Sequence, residues 1–92
     1  MPRAATTSDP FNAIAEPRRR EILNYLAMRE RPVGDIVAEL ELAQPSVSKH
    51  LRVLREAGLV DCERRGTWVY YWVLPAALAR LSGLLAPAEA TA

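Results

Sequence analysis

With one cysteine and one histidine, the chain has little from which to build a metal centre or a disulfide. Cys62 has no partner within the chain, which excludes an intramolecular disulfide and an all-cysteine metal cluster, and His50 cannot form a protein metal site by itself. Charge of one sign is lacking too. Twelve basic against 11 acidic side chains give a net charge of +1, so the overall balance gives no support for nucleic-acid binding. No apolar run approaches the roughly 18 residues of a bilayer span, and MPRAATTSDP has no apolar stretch of the signal-peptide kind. A soluble, cytoplasmic chain without a membrane partner is therefore expected. Enzyme chemistry finds no footing: there is no Gly-rich phosphate loop, no nucleophile beside a histidine base and no carboxylate pair in a cleft. Ser48 and His50 are two apart on one predicted helix and so point to different faces.

What is present is an ordinary globular balance, half apolar and a quarter charged, over 92 residues. That suits a single small domain. Ala-, Thr- and Pro-rich ends suggest flexible termini at 1–8 and 87–92 around a domain at 9–86. Asp9-Pro10 opens a short helix with Phe11, Ile14 and Ala15 as its apolar residues, and Pro17 suits the first turn of a second. Ile22, Leu23 and Leu26 give the second helix a buried face, and it stops before Pro32. Arg18, Arg19 and Arg20 stand at its positive end, an unfavourable place unless they have other partners, such as phosphates. Val33, Ile36, Val37 and Leu40 mark a third helix, and Glu41-Leu42-Ala43 is a tight connection to a fourth beginning near Gln44-Pro45. Val47, Leu51 and Leu54 form one stripe of a 3.6-residue repeat, and Gly58 stands where a helix end wants a left-handed residue.

After Gly58 the period changes. Leu59–Arg64 and Thr67–Leu74 read as two strands joined by a turn at Arg65-Gly66. Val60, Cys62, Val69, Tyr71 and Val73 then share an apolar face, and Asp61, Glu63, Trp68, Tyr70 and Trp72 share the other. Pro75 ends the ribbon, and a last helix carries Leu78, Leu81, Leu84 and Leu85. The expected class is mainly α with a β-hairpin wing, a winged helix-turn-helix in the order α-α-α-α-β-β-α.

Local charge supports that class better than the total does. Asp35, Glu39 and Glu41 form an acidic stretch, followed by Lys49, Arg52 and Arg55 and then Arg64 and Arg65. An α-helix fits the major groove, and its first turns must show short polar groups to base edges, as Gln44, Ser46 and Ser48 can. Lys49, Arg52 and Arg55 can meet phosphates, and a hairpin tip with Arg64, Arg65 and Gly66 can follow the backbone or reach a minor groove.

DPFNAIAEPRRREILNYL, VGDIVAELELAQPSVSKHLRVLREAGLV and CERRGTWVYYWVL resemble the first two helices, the helix-turn-helix and the wing of the ArsR/SmtB family of transcriptional repressors. Short members of the SdpR kind, without an obvious metal box, are the most similar. The resemblance implies double-stranded operator DNA as partner, no cofactor, and DNA contacts from Gln44, Ser46, Val47, Ser48, Lys49, His50, Arg52, Arg55, Arg64, Arg65 and Thr67. It also places the helix at 44–57 and the wing at 59–74 on the operator. His50 reads as a base or phosphate contact or as the orienter of a neighbour, with half-buried packing as the alternative. The family's cysteine pair is replaced by Glu39-Leu40-Glu41-Leu42, and residues 76–85 offer only Arg80 and Ser82 as polar side chains, so neither family metal site carries over. Ala43 stands where relatives often have a capping serine.

Cys62, on an apolar strand face, reads as a small core residue, since a redox-sensing thiol needs exposure and positive charge, with Arg64 the only candidate on that face. Trp68, Tyr70 and Trp72 suggest packing under a terminal helix rather than a ligand box. The apolar stripes of the first and last helices point to a homodimer built on Phe11, Ile14, Leu78, Leu81 and Leu85. Two alternatives stay open: a protein-interaction module that keeps the winged fold, and a metal- or redox-responsive regulator with a non-standard sensor site.

Overall fold

The structure, a computed structural model, describes residues 10–77 and 79. The expected contributions of Leu78, Leu81, Leu84 and Leu85 lie outside the described residues. Helices α1 (Pro10–Ile14) and α2 (Pro17–Met28) are followed by a short strand β1 (Arg31–Pro32). Helices α3 (Val33–Leu40) and α4 (Gln44–Glu56) come next, then strands β2 (Val60–Arg65) and β3 (Trp68–Val73). Residues 75–77 are again helical.

The start of α2 resolves the problem of its three arginines. Pro17 opens the helix, and the Glu16 carboxylate caps it by accepting from the Arg18 N–H at 2.8 Å. The Arg19 Nε donates to the Ala13 carbonyl at 2.6 Å, and an Nη of Arg20 donates to the Ile14 carbonyl at 2.7 Å. These carbonyls close α1, so two guanidinium groups sit at its negative end and satisfy acceptors that the helix leaves open. Arg18 pairs with Glu21 at 2.9 Å.

Between α3 and α4 the chain turns in three residues. Glu41 takes a left-handed conformation, φ 56°, and its N–H donates to the Val37 carbonyl. The end of α4 is a Schellman closure on Gly58, whose φ is 78°. The Gly58 N–H reaches the Arg55 carbonyl and the Leu59 N–H reaches the Leu54 carbonyl, both at 3.0 Å. Leu54 and Leu59 are both fully buried, and Val60 enters the core as β2 begins. The core is continuous from Ala13 through Ile22, Leu26, Ile36, Val47, Leu51 and Leu54 to Val73 and Ala77.

The hairpin turns one residue later than the pattern suggested. Its loop is Gly66-Thr67, so Val60 faces Val73 and Cys62 faces Tyr71, in place of the pairs Val60 with Tyr71 and Cys62 with Val69. The primed hairpin turns need positive φ at the first loop residue. Gly66 adopts it at 66°, whereas an Arg65-Gly66 loop would demand it of Arg65. The pairing moves by two, so both faces keep their expected members. A second difference is β1, which pairs antiparallel with β3 and makes a three-stranded sheet in the order β1-β3-β2. Two residues, one of them proline, carry no strand period, and proline is admissible only because this strand is at an edge.

Helix α4 begins without a side-chain cap: Ala43 is exposed, with extended φ −64° and ψ 147°. Ala43→Ser should supply the missing acceptor and raise unfolding free energy by about 1 kcal/mol. Urea denaturation checks this, and a variant no more stable than the parent would contradict it.

Candidate nucleic-acid interface

Burial of Val47, Leu51 and Leu54 sets the rotation of α4, and the opposite face meets water. Gln44, Ser48, Lys49, Arg52 and Arg55 are exposed there, and Ser46 is half-buried. Val47, named among the DNA-facing residues on the resemblance, is fully buried, because it belongs to the stripe that anchors the helix. Lys49 and Arg52 have no carboxylate partner among the described residues, whereas Arg55 lies 3.5 Å from Asp61.

An open groove of about 650 Å³ runs between α4 and the wing, lined by Ser48, Leu51, Arg52, Arg55, Glu56 and Tyr71. Burial pushes the Tyr71 phenol above its ordinary pKa, and the Cys62 thiol beside it adds to the effect. Tyr71 therefore stays protonated at neutral pH. Cys62 is half-buried on this inner face, opposite Tyr71 in the sheet.

The two wing arginines separate. Arg64 shares the inner face with Val69 and is exposed, with no carboxylate partner among the described residues. Arg65 is on the outer face, where its guanidinium is held by Glu30 at 2.6 and 3.2 Å and by Glu63 at 3.1 and 3.2 Å. It also stacks over Tyr70, 4.7 Å from the ring centre, and lies 6.0 Å from Trp72. Trp68 is 56% exposed, and Arg65 lies over Tyr70 and near Trp72; the terminal helix expected to cover these aromatics lies largely outside the described residues. Thr67 is exposed in the turn.

His50 lies between two helices. It is half-buried where α4 meets the start of α2, with Nδ1 3.5 Å from an Nη of Arg19 and Nε2 4.0 Å from the Glu16 carboxylate. Arginine only donates, so the Arg19 contact is a hydrogen bond in the tautomer that carries its proton on Nε2, the nitrogen facing Glu16. Burial lowers the His50 pKa from its usual 6.5; Glu16 opposes this, while Arg19, Lys49 and Arg18 reinforce it. Glu30, Arg19 and Tyr71 are the residues that the sequence pattern did not mark for these roles. Glu30 could have been found only by knowing that β1 brings it beside the ribbon.

A helix-turn-helix, a second helix with an exposed cationic face and an adjoining hairpin together define a winged helix-turn-helix protein. The profile of bacterial regulatory proteins of the arsR family matches residues 16–61, half of the chain. The transcriptional repressor SdpR of Bacillus subtilis is 38% identical over 61 residues, covering 66% of this chain and 68% of that protein. The biofilm growth-associated repressor of Agrobacterium fabrum is 37% identical over 79 residues, covering 86% of this chain and 68% of that one. The homodimeric winged helix-turn-helix DNA-binding domain of Mb0332 from Mycobacterium bovis superposes with a TM-score of 0.77 at 31% identity, over 94% of this chain and 78% of that one. The chain belongs to the arsR family of bacterial regulatory proteins, and is a transcriptional regulator rather than an enzyme.

The lowered His50 pKa has a consequence for stability. The unfolded chain takes up the histidine proton near pH 6.5 and the folded chain only at lower pH, so stability is fully present above about 6.5 and falls on acidification below it. The fall in melting temperature between about pH 7.5 and 5.5 should be larger for the parent than for His50→Gln. Equal falls would remove His50 from the pH response.

Proposed function

We propose that the chain is a homodimeric repressor that binds a near-palindromic operator, with α4 in the major groove and the wing on the adjoining backbone. One observation carries the reading: a helix anchored by three buried apolar residues exposes Gln44, Ser48, Lys49 and Arg52 together, beside a groove whose far wall is the wing. Gln44 and Ser48, in the first turns, read base edges, with Ser46 beside them. Lys49, Arg52, Arg55 and Arg64 meet phosphates, and Thr67 can add a hydroxyl contact at the tip. His50 acts indirectly, by holding α4 against the start of α2. The homodimeric assembly of the Mycobacterium bovis domain supports a two-fold partner for this chain. Phe11, 63% exposed in the single chain, and half-buried Ile14 are its proposed contributions from α1. Leu78, Leu81 and Leu85, outside the described residues, are the proposed complement. A dimer would present two α4 helices roughly 34 Å apart, one turn of DNA. Repression follows where such an operator overlaps a promoter.

Genomic fragments selected by the protein supply the operator, against which variants are compared with random-sequence duplex. Gln44→Ala and Ser48→Ala should each cost about 1–3 kcal/mol on the operator and much less on random DNA. Arg52→Ala should weaken both alike and lower the salt slope by about one. Equal losses on both DNAs for Gln44→Ala and Ser48→Ala would take base reading away from α4. A parent protein with no salt-sensitive DNA binding would favour the protein-interaction alternative.

The assembly has its own test. Sedimentation should find a dimer at micromolar concentration, and Phe11→Glu should shift it toward monomer by placing a carboxylate in an apolar contact. A monomeric parent would sink the dimer and the palindrome together.

A further inference from the structure

Arg65 is the last residue of β2, and β2 is the edge strand farthest from β1. Its side chain nevertheless reaches Glu30, the residue before β1, by passing over Tyr70 of the central strand. The Arg65 side chain thus links β2, over β3, to the residue that precedes β1. Both of its ends are made with charge-assisted bonds, bidentate to Glu30 and doubly to Glu63. Single exposed ion pairs contribute little, but bidentate geometry within a network of several charges is the exception. Two carboxylates around one cation leave the local charge at −1, so a DNA phosphate approaching Arg65 meets a net negative group.

Arg64 is the neighbour in the chain, and alternation along the strand sends it to the opposite face, the one that looks toward α4. We propose that Arg65 is the positioning residue of the wing: it makes no DNA contact, and by joining Glu30 to the hairpin tip it fixes where Arg64 stands relative to α4. This rests on the DNA-binding reading above and assigns the two adjacent arginines of the tip different tasks.

Glu30→Gln separates this from a direct contact, because the two predict opposite signs. The substitution removes a negative charge, so an Arg65 that touched phosphate would be released, binding would tighten and the salt slope would steepen by about one. A brace predicts the reverse: affinity for fluorescein-labelled random-sequence duplex falls by about two- to fivefold without a steeper slope. In the DNA-free protein, ¹⁵N relaxation should show order parameters at Arg64–Trp68 dropping from about 0.85 toward 0.6. The exchanged pair, Glu30→Arg with Arg65→Glu, should restore both the tip order and the affinity, which a lost phosphate contact could not do. Tighter binding by Glu30→Gln, an unchanged tip order, or an exchanged pair as weak as the single variants would each overturn the proposal. Absence of DNA binding by the parent would overturn the functional reading, while the relaxation measurement would still decide whether the tip is braced.

Discussion

Insertion of Val47, Leu51 and Leu54 into the core is the constraint on which the rest depends. A helix has one rotation that buries such a stripe, and that rotation alone turns Gln44, Ser48, Lys49 and Arg52 outward together. The same stripe aims the chain as it leaves. Leu54 contributes both the carbonyl that accepts from Leu59 and a buried side chain beside it, so the Schellman closure delivers Val60 into the core at the first residue of the wing. Helix and hairpin are thereby placed by one continuous apolar contact.

Against a net charge of +1, the disposition of the cations matters more than their number. Arg19 and Arg20 close α1, Arg18 pairs with Glu21, and Arg31 lies buried with its guanidinium 4.0 Å from the Tyr25 ring centre. Arg65 is spent on Glu30 and Glu63. Arg29, Lys49, Arg52 and Arg64 remain exposed and without carboxylate partners among the described residues, and all but Arg29 belong to α4 or the wing. A long-range field from the whole protein would be weak, so attraction to a polyanion must come from this local set at close range.

The helices were legible because their signals are local. Proline starts, apolar spacing and Gly58 mark α2, α3 and α4, and two-residue alternation marks both faces of the ribbon. The hairpin loop was misplaced by one residue because glycine at a turn does not say which loop position it fills, and the φ requirement decides for the first. Strand β1 was missed because pairing, not composition, makes it a strand. Val47 illustrates a different limit: a residue inside a segment that the resemblance assigns to DNA is buried in the core. The roles of Arg19, His50 and Arg65 depend on contacts 6, 31 and 35 positions apart in sequence, beyond the reach of any local pattern. His50 is half-buried beside Arg19 and Glu16, contacts that no local pattern around it announces.

These distant contacts converge on α2. At its start, Glu16 and Arg19 flank His50 of α4, and the same Arg19 holds the carbonyl end of α1. Past its other end, Glu30 holds Arg65 of the wing. Helix α2 exposes none of the residues proposed to meet DNA, yet both elements that carry them are referenced to it, one from each end. Arg19 joins the end of α1 to His50 near the middle of α4, away from the first turn proposed to read bases. Rotation of α4 is resisted by three buried apolar side chains, whereas the tip of the wing, beyond its own strand pairing, is held across the sheet by exposed ion pairs and ring stacking. Packed apolar contacts yield less readily than solvated charge pairs, so a change in the linker after α2, where Glu30 stands, would alter the wing before it altered the helix.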